Sequence, residues 1–236
     1  MAKEGSPLKV TVLLPAYREE NKIGELIRSI LVHTPDVVVI DDGSRDRTAV
    51  RAEEAGAVVL RHNENRGKGE ALKTGFRYAR DQACDLVITM DADGQHKPDE
   101  IPRFVEAYRR TGIPILLGNR MADRDQMPCI RRWTNRIMSW MLSRMMKQYI
   151  PDTQCGFRMF RRDVLPFLTA DAHRFAAESE MLLHLSERGF RIDSVRVSAV
   201  YRGEKSKIKP SLDTFRFFAM ILRYRLHQRR VWANRG

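Results

Sequence analysis

The fold is decided by residues 86–96, which have the sequence LVITMDADGQH. The apolar run stops at Asp91 and Asp93, and Gly94 follows as a turn former. Apolar runs of four to eight residues bounded by turn formers are typical of strands covered on both faces. Ligands gather at the carboxyl ends of strands in open α/β sheets. This stretch therefore predicts a buried strand that presents acids at its exposed C-terminal end.

Asp91 and Asp93 are candidate metal ligands. Only Ala92 separates them, so an extended or turning backbone lets both carboxylates reach one hard cation. Oxygen-only ligands suit Mg²⁺ or Mn²⁺. Asp and Gly are also ordinary turn residues, so an Asp-rich turn without a metal explains the motif equally well when it is taken alone.

Apolar strands and helical patterns alternate along the first half of the chain. Further strands are predicted at residues 10–14, 37–40, 57–60 and 113–117, and later in the chain residues 152–160 combine a turn with a short strand. The second of these runs into Asp41 and Asp42, so acids again follow a strand. This alternation predicts an α/β fold with a largely parallel sheet flanked by helices. Since no repeat or Gly/Ser linker divides the chain, we expect one domain with appended amphipathic C-terminal helices.

A glycine-rich loop precedes one of these helices. Gly67 and Gly69 allow backbone N–H groups to approach an anion at the start of a helix. The full six-residue dinucleotide fingerprint is absent, and the turn after the first strand begins with Pro15, so no nicotinamide cofactor is predicted.

The formal net charge of +12 is concentrated in two segments. Residues 201–236 carry a net charge of +8 and residues 120–150 carry +5, which together hold the whole excess. Basic faces of this kind meet phosphate on lipid or nucleic acid. Because these segments lack the interleaved aromatic platform of single-strand binders, nucleic acid is not expected as a partner.

Two segments have amphipathic patterns. Residues 131–150 place Ser139 on a polar stripe and several methionines on another, which we interpret as a surface helix docked on the sheet. The alternative is a Met- and Trp-rich surface for a lipid chain. The tail from residue 211 to 232 is apolar and then basic, which suits the interface of an anionic membrane. The alternative for the tail is a packed C-terminal helix with a solvated end.

The cellular location is predicted from absences. The chain has no apolar run of roughly 18 residues and no N-terminal signal pattern, so we expect a cytoplasmic protein, peripheral on the cytoplasmic membrane face. Cys84, Cys129 and Cys155 form no C-x-x-C pair, and we expect free thiols.

Five motifs carry a family resemblance when they are taken in order. They are the Pro15 turn, Asp41 to Ser44, Asn65 to Ala71, Asp91 to His96, and Cys155 to Phe157. Over residues 10–225 the chain resembles family 2 glycosyltransferases of the GT-A fold, which is Rossmann-like. Within that family it is most similar to polyprenyl-phosphate glycosyltransferases of the dolichyl-phosphate mannose synthase type.

The resemblance implies metal-dependent, inverting transfer of a sugar from a nucleotide-sugar of the GDP-mannose or UDP-glucose type to a polyprenyl phosphate, dolichyl or undecaprenyl. It implies a donor site of Pro15, Tyr17, Glu19, Asp41, Asp42, Lys68, Asp91, Ala92 and Asp93. Mg²⁺ or Mn²⁺ would be held by Asp91, Asp93 and Gln95. Asp93, Arg120 and Arg202 are the implied catalytic residues.

The acceptor site is implied at Arg120, Arg131, Arg132 and Asn135. A lipid phosphate is already anionic at neutral pH, so no general base is needed. Asn119 departs from the family pattern, in which Ser or Thr often precedes the arginine. The alternative acceptor is a hydroxyl of a glycan or small molecule, with Glu178 or Glu180 as base. A catalytically silent binding domain is a further alternative, against which the retention of both aspartates argues.

The resemblance also predicts how the chain is divided. We expect a loosely held N-terminus at 1–9, a glycosyltransferase domain at 10–210, and a basic amphipathic helix at 211–236. Residues 10–118 would form the nucleotide-sugar half, and 119–210 the acceptor half. No transmembrane helix is expected to follow, as in single-domain members, some of which rely on a membrane-protein partner.

Overall fold

The computed structural model describes residues 7–121, 129–168, 176–198 and 217–224. Seven strands in this part of the chain form one sheet. They are β1 (Val10–Ala16), β2 (Asp36–Asp41), β3 (Val58–Arg61), β4 (Leu86–Thr89), β5 (Ile115–Asn119), β6 (Arg158–Arg161) and β7 (Ile192–Arg196). Their order across the sheet is β3-β2-β1-β4-β6-β5-β7.

Helices cover both faces of the sheet. They are α1 (Ile23–Leu31), α2 (Thr48–Glu54), α3 (Lys68–Asp81), α4 (Ile101–Thr111), α5 (Cys129–Met146) and α6 (Ala176–Glu187). Short 3₁₀ helices span Pro98–Glu100 and Arg162–Phe167, and residues 217–224 are helical as well. None of the helices in the described ranges has the length and apolarity needed to cross a bilayer.

The predicted α/β class and largely parallel sheet are confirmed. Every strand pair is parallel except those of β6, which runs antiparallel to both β4 and β5. The sequence predicted a turn and a short strand within residues 152–160, which overlaps β6 without giving its bounds, and it did not predict β7. The four residues of β6 begin and end with arginine, and β7 is an edge strand with only two buried positions, so neither is an apolar run.

The first strand extends two residues beyond its predicted end, through Pro15 to Ala16. Pairing with β4 stops at Leu13, whose carbonyl accepts a hydrogen bond from the Met90 N–H. Pro15 lies on that same side of the strand, since successive residues of a strand direct their backbone groups to opposite neighbours. Its missing N–H therefore costs the sheet no hydrogen bond.

The core has two layers, one on each face of the sheet. Leu13 of β1 belongs to the layer built with α3, α5 and α6, which includes Phe76 and Leu142. Its neighbours Val12 and Leu14 point the other way and pack in the layer of α1 and α4. This alternation explains why the central strands are apolar on both faces.

The described part of the C-terminal tail packs on the domain. Phe217, Met220, Ile221 and Tyr224 are buried in the α3, α5 and α6 layer. Three residues of the apolar run predicted as a membrane anchor therefore belong to the core, which favours the packed-helix alternative, while Phe218 and Leu222 are exposed. The basic remainder of the tail lies outside the described residues, and the domain boundaries at 118/119 and 210/211 stay predictions.

Helix α5 is a surface helix, but one member of its predicted polar stripe, Ser139, faces inward, whereas Arg136 is exposed. Ser139 is buried, and its hydroxyl lies 3.1 Å from that of Thr153 while accepting the Thr153 N–H at 2.9 Å. These hydrogen bonds are the reason that a polar side chain can face inward. The three cysteines are free thiols, as predicted.

Candidate active site

Parallel strands bring the predicted donor residues to one edge of the sheet. The strands β2, β1 and β4 are adjacent and parallel, so their carboxyl ends lie side by side. Tyr17 follows β1, Asp42 follows β2, and Asp91 follows β4. The structure thus brings the Pro15, Asp41 and Asp91 motifs together, as the strand pattern predicted.

Asp42 clamps the loop that leads into α3. Its Oδ1 atom accepts hydrogen bonds from His62 Nδ1 at 2.8 Å and the Arg66 N–H at 2.9 Å. Its Oδ2 atom accepts the Gly67 N–H at 2.7 Å. Since a carboxylate only accepts, His62 carries its proton on Nδ1. Asp42 therefore sets the shape of the glycine loop, whatever contact it also makes with a donor.

Asp41 has an unsatisfied oxygen. Its side chain is buried, and Oδ1 accepts the Ser44 N–H at 3.1 Å. Oδ2 accepts no hydrogen bond in the described part of the chain, although Arg61 Nε lies 3.3 Å away. A buried carboxylate oxygen without a donor is costly, so it marks a place where a ligand N–H or O–H would bind.

The turn after β1 is held by side chains of the next unit. The Arg18 N–H donates to Ser44 Oγ at 3.0 Å, and the Glu19 N–H donates to Thr48 Oγ1 at 2.9 Å. Arg18 has a positive φ of 57° and stacks over the exposed ring of Tyr17. The two strand ends are therefore one connected rim.

Four charged groups, one of them Asp91, meet beyond the end of β4. Lys68 Nζ lies 2.5 Å from Asp91 Oδ1 and 2.5 Å from Glu178 Oε1. Arg158 Nη2 lies 3.0 Å from Glu178 Oε2. We call these residues, Lys68, Asp91, Arg158 and Glu178, the charge cluster. Two cations and two anions balance, so the cluster has no net charge.

The charge cluster shifts the pKa values of its members. Burial acts to lower the pKa of Lys68, but the carboxylates of Asp91 and Glu178 outweigh burial and raise it. Burial acts to raise the pKa of Asp91, but Lys68, with a smaller contribution from His96, lowers it well below its usual range. Both groups are therefore charged at neutral pH.

Gly156 makes room for Asp91. A Cβ atom on this glycine would overlap the Asp91 carboxylate. Thr89 Oγ1 also donates to the Gly156 carbonyl at 3.0 Å, which ties the end of β4 to the same segment. The Cys155-Gly156-Phe157 motif thus leaves the space that the Asp91 carboxylate occupies.

The chemistry of Asp91, Asp93 and Gln95 fits a hard divalent cation, because all three offer oxygen ligands. The described residues contain no preassembled group of three or more His, Cys, Asp and Glu side chains for a metal. Asp93 Oδ1 accepts the Gln95 N–H at 3.0 Å, and the Asp93 carbonyl accepts from Lys22 Nζ at 3.2 Å. A metal held here would take the carboxylates of Asp91 and Asp93 and the side-chain amide oxygen of Gln95 from the protein. Ala92, between the two acids, is buried.

The buried side chain of His96 lies next to the Asp91 carboxylate. The imidazole is buried against Phe157, with ring centroids 5.3 Å apart, and Nε2 lies 3.7 Å from Asp91 Oδ2. Its Nδ1 atom has no hydrogen-bond partner among the described residues.

The structure gives Arg120 a partner that the sequence did not predict. Its guanidinium forms a bidentate ion pair with Asp152, with Nε to Oδ2 at 2.8 Å and Nη2 to Oδ1 at 3.0 Å. Both side chains are buried. Burial acts to raise the pKa of Asp152, but Arg120 lowers it overall. A catalytic role for Arg120 at a phosphate stays a prediction, and it would require Arg120 to share its charge with Asp152.

The other residues implied by the family resemblance lie on α5 or α6 or outside the described residues. Arg131 and Arg132 are half-buried in the first turn of α5, and Asn135 is on its buried face, one turn before Ser139. Arg202 lies outside the described residues. Glu180 lies 3.8 Å from His184, as an i,i+4 pair, rather than in the charge cluster.

Sequence reasoning missed Arg158 and Asp152. Arg158 is buried and donates from Nε to the Cys155 carbonyl at 2.7 Å and from Nη2 to the Thr153 carbonyl at 3.0 Å. We call residues 152–158 the hub segment, because it contacts α5, β4, α6 and Arg120. The only available signal was that arginine interrupts a short apolar run directly after the Cys155 motif.

The family model described as "Glycosyl transferase family 2" matches residues 11–168, which is about two thirds of the chain. The chain belongs to this family. Residues 11–168 include β1 to β6, the hub segment and every cluster member except Glu178.

This transferase resembles enzymes of polyprenyl-phosphate metabolism in sequence. It is 26% identical over 215 residues to the UDP-N-acetylglucosamine–dolichyl-phosphate N-acetylglucosaminyltransferase of Methanococcus voltae, covering 81% of this chain and 86% of that one. It is 36% identical over 177 residues to an undecaprenyl-phosphate 4-deoxy-4-formamido-L-arabinose transferase of Pseudomonas aeruginosa. That match covers 70% of this chain and 50% of the relative, so the transferase spans about half the length of this relative.

The fold also has solved counterparts. Glucosyl-3-phosphoglycerate synthase from Mycobacterium tuberculosis, in complex with Mn²⁺, uridine diphosphate and phosphoglyceric acid, superimposes with a TM-score of 0.72 at 22% identity. The match covers 91% of this transferase and 78% of that chain. At this identity the likeness shows the fold.

Proposed function

We propose that this transferase moves a sugar from a nucleotide-sugar to a polyprenyl phosphate, with inversion at the anomeric carbon. The observation that carries the proposal is the state of Glu178. Each of its oxygens is engaged by a cation, Oε1 by Lys68 and Oε2 by Arg158. An acid held in this way is poorly placed to take a proton from a hydroxyl, whereas a phosphate acceptor brings its own anionic oxygen.

The rim of β1 and β2 is the proposed site for the nucleoside. Asp41 Oδ2 is a buried acceptor without a donor, which an N–H or O–H of the nucleoside would satisfy. The exposed Tyr17 ring offers a flat surface at the same rim. Pro15 lies near the end of β1, just before Tyr17, and Glu19 lies in the turn that follows Tyr17.

The start of α3 and the end of β4 form the proposed site for the diphosphate. Lys68 is the first residue of α3, where helix N–H groups and an ammonium group both favour an anion. Asp91, Asp93 and Gln95 would hold Mg²⁺ or Mn²⁺. Such an ion stabilises the charge that develops on a nucleoside diphosphate as it leaves.

The relatives support a lipid-phosphate acceptor. The name of one sequence relative contains dolichyl phosphate, and the name of the other contains undecaprenyl phosphate. The structural counterpart is instead named for a phosphoglycerate product. Both sequence relatives are closer in identity, at 26% and 36%, than the structural counterpart at 22%. A hydroxyl acceptor remains the competing function, and it requires a base.

An acceptor screen separates the two functions. GDP-mannose, UDP-glucose and UDP-N-acetylglucosamine are each supplied with Mn²⁺ and with a polyprenyl phosphate, a polyprenol or 3-phosphoglycerate. We expect product only with the polyprenyl phosphate, and we expect Glu180→Gln to retain activity within about twofold because no base is needed. Product from 3-phosphoglycerate or from the polyprenol, lost in Glu180→Gln, would establish a hydroxyl acceptor instead.

Charge reversal at the start of α5 tests the acceptor site. We expect the double substitution Arg131→Glu and Arg132→Glu to raise the KM for polyprenyl phosphate by at least about tenfold, because a phosphate needs cations of its own. Donor affinity, measured by calorimetry, should stay near the wild-type value. Arg109→Glu with Arg110→Glu, on the exposed end of α4, is the matched control and should change neither quantity. Equal loss of donor and acceptor binding would remove Arg131 and Arg132 from the acceptor site.

A further inference from the structure

Helix α5 exposes an apolar stripe to solvent. Its members are Ile130 (77% exposed), Trp133 (63%), Ile137 (49%) and Trp140 (62%). The spacing of three, four and three residues places them on one face of the helix, along about 15 Å. Large apolar side chains grouped in this way mark an interaction surface.

The same helix is strongly basic. The eighteen residues of α5 include four arginines and no acid. Arg144 stacks over the Trp140 ring at 5.9 Å, so a cation borders the apolar stripe directly. Aromatic and aliphatic side chains with flanking cations are typical of helices that lie in a membrane interface.

A cavity beside the stripe adds a second, independent observation. Its volume is about 630 Å³, and its lining includes Arg136, Arg144 and Lys147 together with Trp140 and Tyr149. Within the described part of the chain, none of these three cations takes part in a salt bridge. The cavity therefore offers positive charge and aromatic surface at the end of the apolar stripe.

We propose that this face of α5 docks on the surface of an anionic phospholipid bilayer. The stripe would enter the boundary between headgroups and acyl chains, and the cavity would receive phosphate headgroups. This inference does not depend on which acceptor the transferase uses, because it concerns bulk phospholipid rather than the reacting phosphate.

The chemistry of the face favours lipid over other occupants. A second copy of the chain would bring two basic, acid-free helices together, which like-charge repulsion opposes. A single-stranded nucleic acid would stack on tryptophans, but Ile130 and Ile137 alternate with them and offer no stacking surface. Only a surface that combines negative charge with accessible hydrocarbon complements both the cations and the apolar stripe of this face.

Docking through α5 would orient the candidate active site. The buried side of the helix is tied to the hub segment through Ser139 and Thr153, and the preceding residue Asp152 holds Arg120. A membrane under α5 would therefore lie near the side of the site that is proposed for the acceptor, instead of against the β3 edge of the sheet.

Flotation and quenching with the full chain test the proposal. The chain has three tryptophans, and Trp232→Phe leaves only the two on α5 as fluorophores. Vesicles are made of phosphatidylcholine alone or of equimolar phosphatidylcholine and phosphatidylglycerol, with or without brominated acyl chains. We expect flotation with the anionic vesicles only, together with quenching of the tryptophan emission by brominated lipid.

Matched variants assign the effect to α5. We expect Trp133→Ser with Trp140→Ser to weaken binding to anionic vesicles by at least about tenfold, because two large rings leave the interface. Ile130→Ser with Ile137→Ser should also weaken binding and provides an independent check if the tryptophan variant folds poorly. Val32→Ser, on an equally exposed valine of another helix end, should bind like the wild type.

Several results would overturn the proposal. They are wild-type binding by both double variants, flotation without quenching, and absence of flotation with anionic vesicles. Sedimentation without lipid that shows a dimer converted to a monomer by the tryptophan substitutions would identify α5 as a self-interface. Loss of oligonucleotide binding in these variants, without vesicle binding in the wild type, would identify a nucleic-acid surface. Donor binding by calorimetry is measured in every variant, so a failure of the proposed function is seen separately.

Discussion

Asp93→Asn is expected to abolish sugar transfer, with a loss of at least about a thousandfold in kcat/KM. The substitution removes one of two carboxylates that would hold the divalent cation, and metal stabilisation of the leaving group contributes several kcal/mol to such reactions. The fold should not change, because an Asn side-chain oxygen still accepts the Gln95 N–H that closes this turn. Steady-state kinetics and thermal unfolding measure the two effects separately.

Asp99→Asn is the control for this prediction. Asp99 lies a few residues further along the chain, is exposed, and contacts only the His33 ring at 3.2 Å in the described part of the chain. Its substitution removes the same charge without touching the site, so activity should stay within about twofold of the wild type. Wild-type turnover by Asp93→Asn, or turnover that persists in excess chelator, would show that the metal assignment is wrong.

Asp152→Asn is expected to lower the free energy of unfolding by about 3–5 kcal/mol, because it removes the charge of the buried carboxylate that forms a bidentate ion pair with the Arg120 guanidinium. Chemical denaturation at neutral pH measures this difference. Such a loss is a large part of the stability of an ordinary domain. Asp163→Asn is the control, since it breaks an exposed carboxylate–arginine pair with Arg161 and should cost at most about 1 kcal/mol.

The effect of Asp152 should also depend on pH. Its pKa in the folded protein is lowered, chiefly by Arg120 acting against burial, relative to about 3.9 in an unfolded chain. The stabilisation is therefore fully present above about pH 4 and is lost as the pH falls through the folded pKa. The difference between wild type and Asp152→Asn should shrink below about pH 4. A difference that is constant from pH 7 to acid, or absent at pH 7, would mean that Arg120 and Asp152 are not paired in solution.

The parallel part of the sheet could be predicted because each of its central strands is a plain apolar run. Strands β1, β2 and β4 are buried on both faces, so burial alone determines their composition. Strand β6 is not an apolar run, so the sequence indicated a short strand within residues 152–160 but not its bounds. Its Arg158 is buried because carbonyl groups and Glu178 satisfy it, and such partners leave no local pattern.

The candidate site could also be predicted only in part. That Asp41, Asp42 and Asp91 meet at one edge followed from strand order, since carboxyl ends of neighbouring parallel strands coincide. The hydrogen-bond and ion-pair partners of these three acids could not be predicted from strand order. Asp42 holds the α3 loop through His62, and Asp91 is paired with Lys68, because folding joins residues that are distant in sequence. The pairing of Arg120 with Asp152 was not predicted, for the same reason.

The position of β6 between β4 and β5 also determines how the protein must be assembled as it is synthesised. About seventy residues separate the end of β4 from the start of β6, which corresponds to roughly 4–15 s of translation. Until β6 emerges, β4 can pair with β1 on one side only, and its other edge presents unpaired backbone groups next to apolar side chains. The emerging chain thus exposes an unpaired edge of β4, which can aggregate until β6 pairs with it. Shielding by chaperones therefore matters most for nascent chains that end before residue 158.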